Sequence, residues 1–169
     1  MFIPNSIRDF GLRRLNNRIM FNAQLSHLNN QINPSCSFCQ ITTLTILPKE
    51  THQHLFHDCP TSYEIIYKYF ADYYDDSLNI KQAIFKGHVA NTNLEMIYVN
   101  IDILLILFFI NLAKQTKKLP TFNSITFSVM KTKQIMILNS SFYKRIYNFN
   151  RTLKGAFFLE TVRYLDRIS

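Results

Sequence analysis

Glycine and proline are scarce in this chain, three and five among 169 residues, against fifteen phenylalanines and nine tyrosines. That balance excludes a disordered tail and points to a helix-rich protein packed with aromatic side chains. Cysteine occurs only three times. An odd count argues against the disulfide framework of a secreted domain, and reduced thiols imply the cytoplasm or the nucleus. Long apolar runs are missing too. The longest stretch without a polar residue is Ile103 to Ile110, eight residues, where a membrane span needs about twenty, so no membrane is expected as a partner. The first residues, Met1-Phe2-Ile3-Pro4-Asn5, lack the charged start and apolar run of a secretory leader. Neither a repeat nor a low-complexity linker interrupts the chain, and 47% hydrophobic content suffices for a core. The length fits one domain, or one domain with an appended metal module.

Charge is unevenly spread. Residues 1–34 carry four Arg and one Asp, a balance of +3; residues 35–100 carry four Lys and seven acids, −3; residues 101–169 carry eleven Lys or Arg and three acids, +8. Two basic flanks surround a middle of opposite sign. Basic surfaces of this kind attract phosphate backbones through counterion release, although an ordinary solvated surface has the same composition.

All three cysteines fall in one pattern with a histidine: Cys36, Cys39, His54 and Cys59, spaced Cys-x2-Cys-x14-His-x4-Cys. Two thiolates separated by two residues can grip one tetrahedral ion from a tight turn, and a His and a Cys five positions apart can complete the set from a short helix and its exit. Three sulfurs and one imidazole suit Zn2+ rather than Ca2+ or Mg2+, which prefer oxygen. His52 and His57 compete for the fourth position; the five-residue separation from Cys59 favours His54. A thioredoxin-like redox role for Cys-x-x-Cys needs a βαβ setting, and Ile32-Asn33-Pro34-Ser35 before the pair reads as a turn. With every thiol engaged as a ligand, none remains for nucleophilic catalysis, and a closed four-ligand set leaves no position for a catalytic water.

Hydrophobic spacing predicts a mainly α protein: an amphipathic basic helix over Asp9 to Asn29, a short helix over Glu50 to His57 stopped near Pro60, and helices over Tyr63 to Tyr74, Asn79 to Gly87, Leu94 to Lys118 and Phe122 to Leu138. The basic aromatic stretch Phe142 to Arg151 and the segment Phe157 to Arg167 are further helical candidates. Three regions follow: residues 1–34, the basic helix leading into the metal site; 35–60, a small structural zinc module of the Cys-Cys-His-Cys type; and 61–169, a helical region packed with it.

The string Cys36-Ser-Phe-Cys39 followed by Glu50-Thr-His-Gln-His54-Leu-Phe-His-Asp-Cys59-Pro60 resembles the zinc-binding segment that follows the reverse transcriptase domain of non-LTR retrotransposons, where Cys-x2-Cys precedes Glu-Thr-x-x-His-Leu-Phe-x-x-Cys-Pro. The flanks are similar as well: Leu15-Asn-Asn-Arg-Ile19 and Asn33-Pro34-Ser35 upstream; Ala83 to Gly87, the Asn100 to Lys114 segment and Leu119-Pro120-Thr121-Phe122 downstream. The likeness covers about residues 15 to 150. It departs between Cys39 and His54, where Thr42, Thr43, Thr45 and Ile46 replace the family's frequent acids. The resemblance again selects His54 as the fourth ligand and implies RNA or DNA as a partner. It further implies association with the remainder of a reverse transcriptase, and a detached or degenerate C-terminal fragment without polymerase or endonuclease domains.

Tyr73-Tyr74-Asp75-Asp76 matches the Tyr-x-Asp-Asp string of a polymerase palm. Here it ends a helical pattern and follows the metal motif, without the strand hairpin that two-metal nucleotidyl transfer needs, so a non-enzymatic chain is expected. The candidate nucleic-acid contacts are Arg13, Arg14 and Arg18 in the first basic flank and Lys144, Arg145 and Arg151 in the second. In the latter, Phe142, Ile146, Phe149 and Leu153 can form a core face while the cations stay outside, or the aromatics can stack on bases. A protein-packing module stabilised by zinc, or a decayed fragment without activity, is the alternative reading.

Overall fold

The computed structural model describes residues 3–42, 47–71, 73–74, 76–89 and 93–138. They form a mainly helical assembly: α1 (Asn5–Leu15), α2 (Asn22–Leu28), α3 (Ser37–Ile41), a π-turn (His54–Asp58), α4 (Pro60–Phe70), α5 (Ser77–Lys86), α6 (Asn93–Gln115) and α7 (Phe122–Leu138). No strand occurs among the described residues; one isolated antiparallel bridge pairs Ser35 with Lys49.

The single helix expected over Asp9 to Asn29 is two helices. Asn17 adopts φ 51°, a left-handed conformation that asparagine tolerates better than most residues. Around it the Arg18 N–H donates to the Arg13 carbonyl at 2.7 Å and the Asn17 N–H to the Arg14 carbonyl at 3.1 Å. This is a Schellman ending, and the Asn16 amide adds a bond to the Leu12 carbonyl at 2.8 Å. The apolar period survives such a break, which explains why the spacing suggests one continuous element. Residue 117 repeats the device after α6: Lys117 has φ 52°, and Lys118 N–H donates to the Ala113 carbonyl.

Helix α6 is the centre, with α1, α5 and α7 packed against it and α4 bridging α5, α7 and the π-turn. Its side chains Leu105, Ile106, Leu107 and Ile110 are buried. The backbone of α1 comes close to α6 at Gly11, where an added Cβ would lie 3.3 Å from Leu104. By length and composition alone, Met96–Gln115 is apolar enough to cross a bilayer. Half of that stretch is buried by neighbouring helices, and it carries Asp102, whose carboxylate is ion-paired with Lys133 of α7 at 2.7 Å. Tyr69 of α4 donates to the same carboxylate at 3.3 Å and Lys133 donates to the Tyr98 hydroxyl at 2.7 Å. Burial pushes the Asp102 carboxyl up, and Lys133 opposes that shift. The cluster fixes the rotation of α6 relative to α4 and α7, because one buried polar group has to find all its partners at once.

Asp76, the second acid of the Tyr-Tyr-Asp-Asp string, is the N-cap of α5: its carboxylate accepts from the Asn79 N–H at 2.7 Å. That is a structural task which the residue performs at the helix start. Asp75 lies outside the described residues.

Candidate metal centre

The backbone first builds a knuckle. The Cys36 N–H donates to the Pro48 carbonyl at 2.9 Å and the Glu50 N–H to the Pro34 carbonyl at 2.9 Å, closing the base of the loop between the two halves of the motif. Cys36 then caps α3 and Cys39 sits one turn into it, so both sulfurs project to one side while Phe38 enters the core.

The second half is built by a widened turn. Thr51 Oγ1 accepts from the His54 N–H at 3.0 Å, starting the turn. The Cys59 N–H donates to the His54 carbonyl at 2.6 Å, an i to i+5 bond that stacks the two residues. Pro60 disfavours a helical conformation at the residue before it. Cys59 is accordingly extended, with φ −69° and ψ 121°, and Pro60 opens α4 in a new direction.

The four side chains converge. The ligand atoms of Cys36, Cys39, His54 and Cys59 all lie within 4.8 Å of one another, and all four residues are buried. The Sγ atoms of Cys36 and Cys59 are 3.9 Å apart, those of Cys39 and Cys59 3.8 Å, and Cys39 Sγ is 3.4 Å from His54 Nε2. A tetrahedral ion with metal–sulfur bonds of about 2.3 Å and a metal–nitrogen bond of about 2.0 Å requires edges of about 3.8 Å and 3.5 Å respectively. The cluster therefore has the size and donor set to hold a metal ion. His52 and His57 lie outside it: His57 Nδ1 pairs with Asp58 at 2.6 Å, and the His52 ring packs edge-on against Phe21 and Phe56.

The thiols reveal the crowding. Cys59 is lowered to about 5, chiefly by the hydrogen bond from Cys36 and despite burial, with further help from the Ser62 N–H. Cys36 is pushed up because it donates that proton and is buried. Cys39 rises to about 11 through burial and the negative charge on Cys59. Without a cation the pocket holds one thiolate; a cation at its centre stabilises three.

No protein-family model, curated protein or solved structure matches this chain.

One residue outside the ligand set organises the centre. Glu50 is fully buried, and its carboxylate accepts from the Asn22 N–H at 3.0 Å, the Ser37 N–H at 3.1 Å and the Ser37 hydroxyl at 3.0 Å. Lys114, in the last turn of α6, lies 2.6 Å from it. This hub ties the starts of α2 and α3 to the central helix. Charge statistics could not reveal it, since its partners lie 28, 13 and 64 positions away; the buried polarity of Glu50 becomes visible only once the knuckle closes.

Of the six cations singled out in the sequence, Arg13 and Arg18 are exposed and Arg14 is half-buried. Ile7, Phe10 and Arg14 share one helical face, and the first two are buried. Arg14 extends that face toward His52, where burial pulls the guanidinium below its ordinary value. Lys144, Arg145 and Arg151 lie outside the described residues.

Proposed function

We propose that this chain is a non-catalytic, zinc-pinned helical module that binds RNA or DNA, akin to the zinc-binding segment at the C-terminal side of a non-LTR retrotransposon reverse transcriptase. The observation that carries the zinc reading is the convergence of three sulfurs and one imidazole nitrogen within 4.8 Å of one another in a buried site. Thiolate-rich closed sets of this type are structural: the ion contributes folding free energy, and no coordination position remains for a substrate. The sequence string that spans Glu50 to Pro60 supports the family reading, because the knuckle, the π-turn and the proline exit each use one of its residues.

The nucleic-acid reading is supported by the exposed cations Arg8, Arg13 and Arg18 at and after α1. Exposed cations of this kind neutralise phosphates rather than read base edges, so affinity should fall steeply with salt and depend weakly on sequence. The test is a binding titration of structured RNA and duplex DNA at two salt concentrations. The double variant Arg13→Gln with Arg18→Gln should lower the salt slope by roughly one unit per lost phosphate contact. Binding that is flat with salt and indifferent to these substitutions sinks the reading.

A second reading, protein packing, rests on α1 itself. Leu12 and Leu15 are 52% and 78% exposed on the same helix. If that face meets another protein, Leu12→Ser abolishes the association while the arginine variants leave it intact.

A further inference from the structure

Beside the zinc knuckle lies a cavity of about 590 Å3, between the end of α1, the start of α2, residues 50–53 and α5. Its volume falls in the range of small-molecule sites. The walls combine three kinds of chemistry. Phe85, Phe21 and His52 supply ring surfaces; the His52 and Phe85 centroids are 5.1 Å apart and those of His52 and Phe21 5.6 Å. Arg14 supplies a permanent positive charge. Gln24 and Gln53 supply amides; the Gln24 carbonyl accepts from the Phe21 N–H at 3.2 Å, and the Gln53 amide donates to Asp58 at 3.0 Å.

Two buried nitrogens in this wall, Arg14 Nε and His52 Nε2, have no hydrogen-bond partner among the described residues. Leaving such groups unpaired is costly, and they mark the kind of occupant that would relieve them. A hydrocarbon ligand would leave both unpaired. A cation would be repelled by Arg14. An inorganic anion could pair with the guanidinium but would leave the aromatic wall uncovered. The set suits a molecule with an anionic group at one end and a flat, hydrogen-bonding ring at the other.

We propose that this cavity binds a single nucleotide, its phosphate paired with Arg14 and its base laid against Phe85 with its edge toward His52. The inference deepens the nucleic-acid reading and rests on it only for the source of the nucleotide, which can be an unstacked unit of a strand or a free nucleoside monophosphate. Phe85 is 36% exposed, so a base can reach its ring without disrupting the core.

The experiment uses the full chain loaded with zinc, titrated with adenosine 5′-monophosphate, uridine 5′-monophosphate, inorganic phosphate and a single-stranded decanucleotide, with the His52 and Phe85 ring signals followed by NMR. Mononucleotide should move both sets of ring signals, and phosphate alone should not shift Phe85. Phe85→Ala and Arg14→Gln should each weaken mononucleotide binding roughly tenfold or more, the scale of a lost base–aromatic stack or phosphate pair. Lys131→Gln, at an exposed position of α7 outside the cavity wall, should leave it unchanged. If the decanucleotide produces the same ring shifts, the strand is the source; if only the monophosphates do, the free nucleotide is. Ring signals in the unsubstituted protein that stay fixed under saturating monophosphate and decanucleotide overturn the cavity assignment. Should strands still bind through Arg13 and Arg18 in that case, the nucleic-acid reading survives without it.

Discussion

The Glu50 carboxylate and the Lys114 ammonium meet at 2.6 Å inside the protein, joining the metal knuckle to the last turn of the central helix. Removing one partner of such a pair strands the other, which typically costs about 3–5 kcal/mol. Glu50→Gln should therefore lower unfolding free energy by several kcal/mol, measured by urea denaturation of the zinc-loaded chain. The double variant Glu50→Gln with Lys114→Met should recover part of that loss, since no buried charge then lacks a partner. A single variant as stable as the original would show that Glu50 does not organise the centre.

Metal binding should single out one histidine. His54 Nε2 lies 3.4 Å from Cys39 Sγ, whereas His57 is engaged with Asp58. His54→Ala should lose the ion or reduce its affinity by orders of magnitude, and His57→Ala should keep it. Competition with a chromogenic chelator measures both; retention by His54→Ala at full affinity would exclude this residue as a ligand.

Proton release reports on the thiols. Cys59 lies near 5 and Cys39 near 11, with Cys36 higher still, all against an ordinary value of 9.0. At pH 7.5 the metal-free site thus carries one thiolate, and loading with zinc should release about two protons, not three. In the metal-free chain the Cys59 contribution to stability is complete above pH 9 and disappears as pH falls from 9 toward 5, because in that window the unfolded chain takes up a proton that the folded site does not. The raised Cys39 acts with the opposite sign, its contribution being lost as pH rises from 9 to 11. Calorimetric zinc titration in buffers of different ionisation enthalpy counts the protons. A count of three would mean that no thiol is lowered by its neighbours.

The Tyr-Tyr-Asp-Asp string should matter for stability and not for polymerisation. Asp76→Ala removes the cap of α5 and should cost about 1 kcal/mol. Neither the parent chain nor Asp75→Asn with Asp76→Asn should extend a primer. Extension by the parent that vanishes in the variant would overturn the non-enzymatic reading.

Much of this architecture could be read from the sequence, and the exceptions share a cause. The helix over Phe122–Leu138 has the same bounds in the structure as in the hydrophobic spacing, because Pro120 gives a sharp start and the apolar period runs unbroken. The metal cluster was legible because its ligand pairs are local: two residues separate Cys36 from Cys39, and a five-residue step links His54 to Cys59. The break at Asn16-Asn17 was not, since a left-handed asparagine leaves the apolar pattern intact. The half-buried setting of Arg14 and the Glu50 hub were hidden for a different reason. Both depend on partners far away in the chain, and hydrophobic periodicity carries no information on which polar side chains meet across the core.

The most direct measurement is zinc K-edge X-ray absorption on the purified chain, together with its metal content. The account predicts about one zinc per chain, bound by three sulfurs at about 2.3 Å and one nitrogen at about 2.0 Å, and loss of that signal in Cys59→Ser. A chain that folds with no zinc, or holds it through oxygen ligands unaffected by Cys59→Ser, would contradict it.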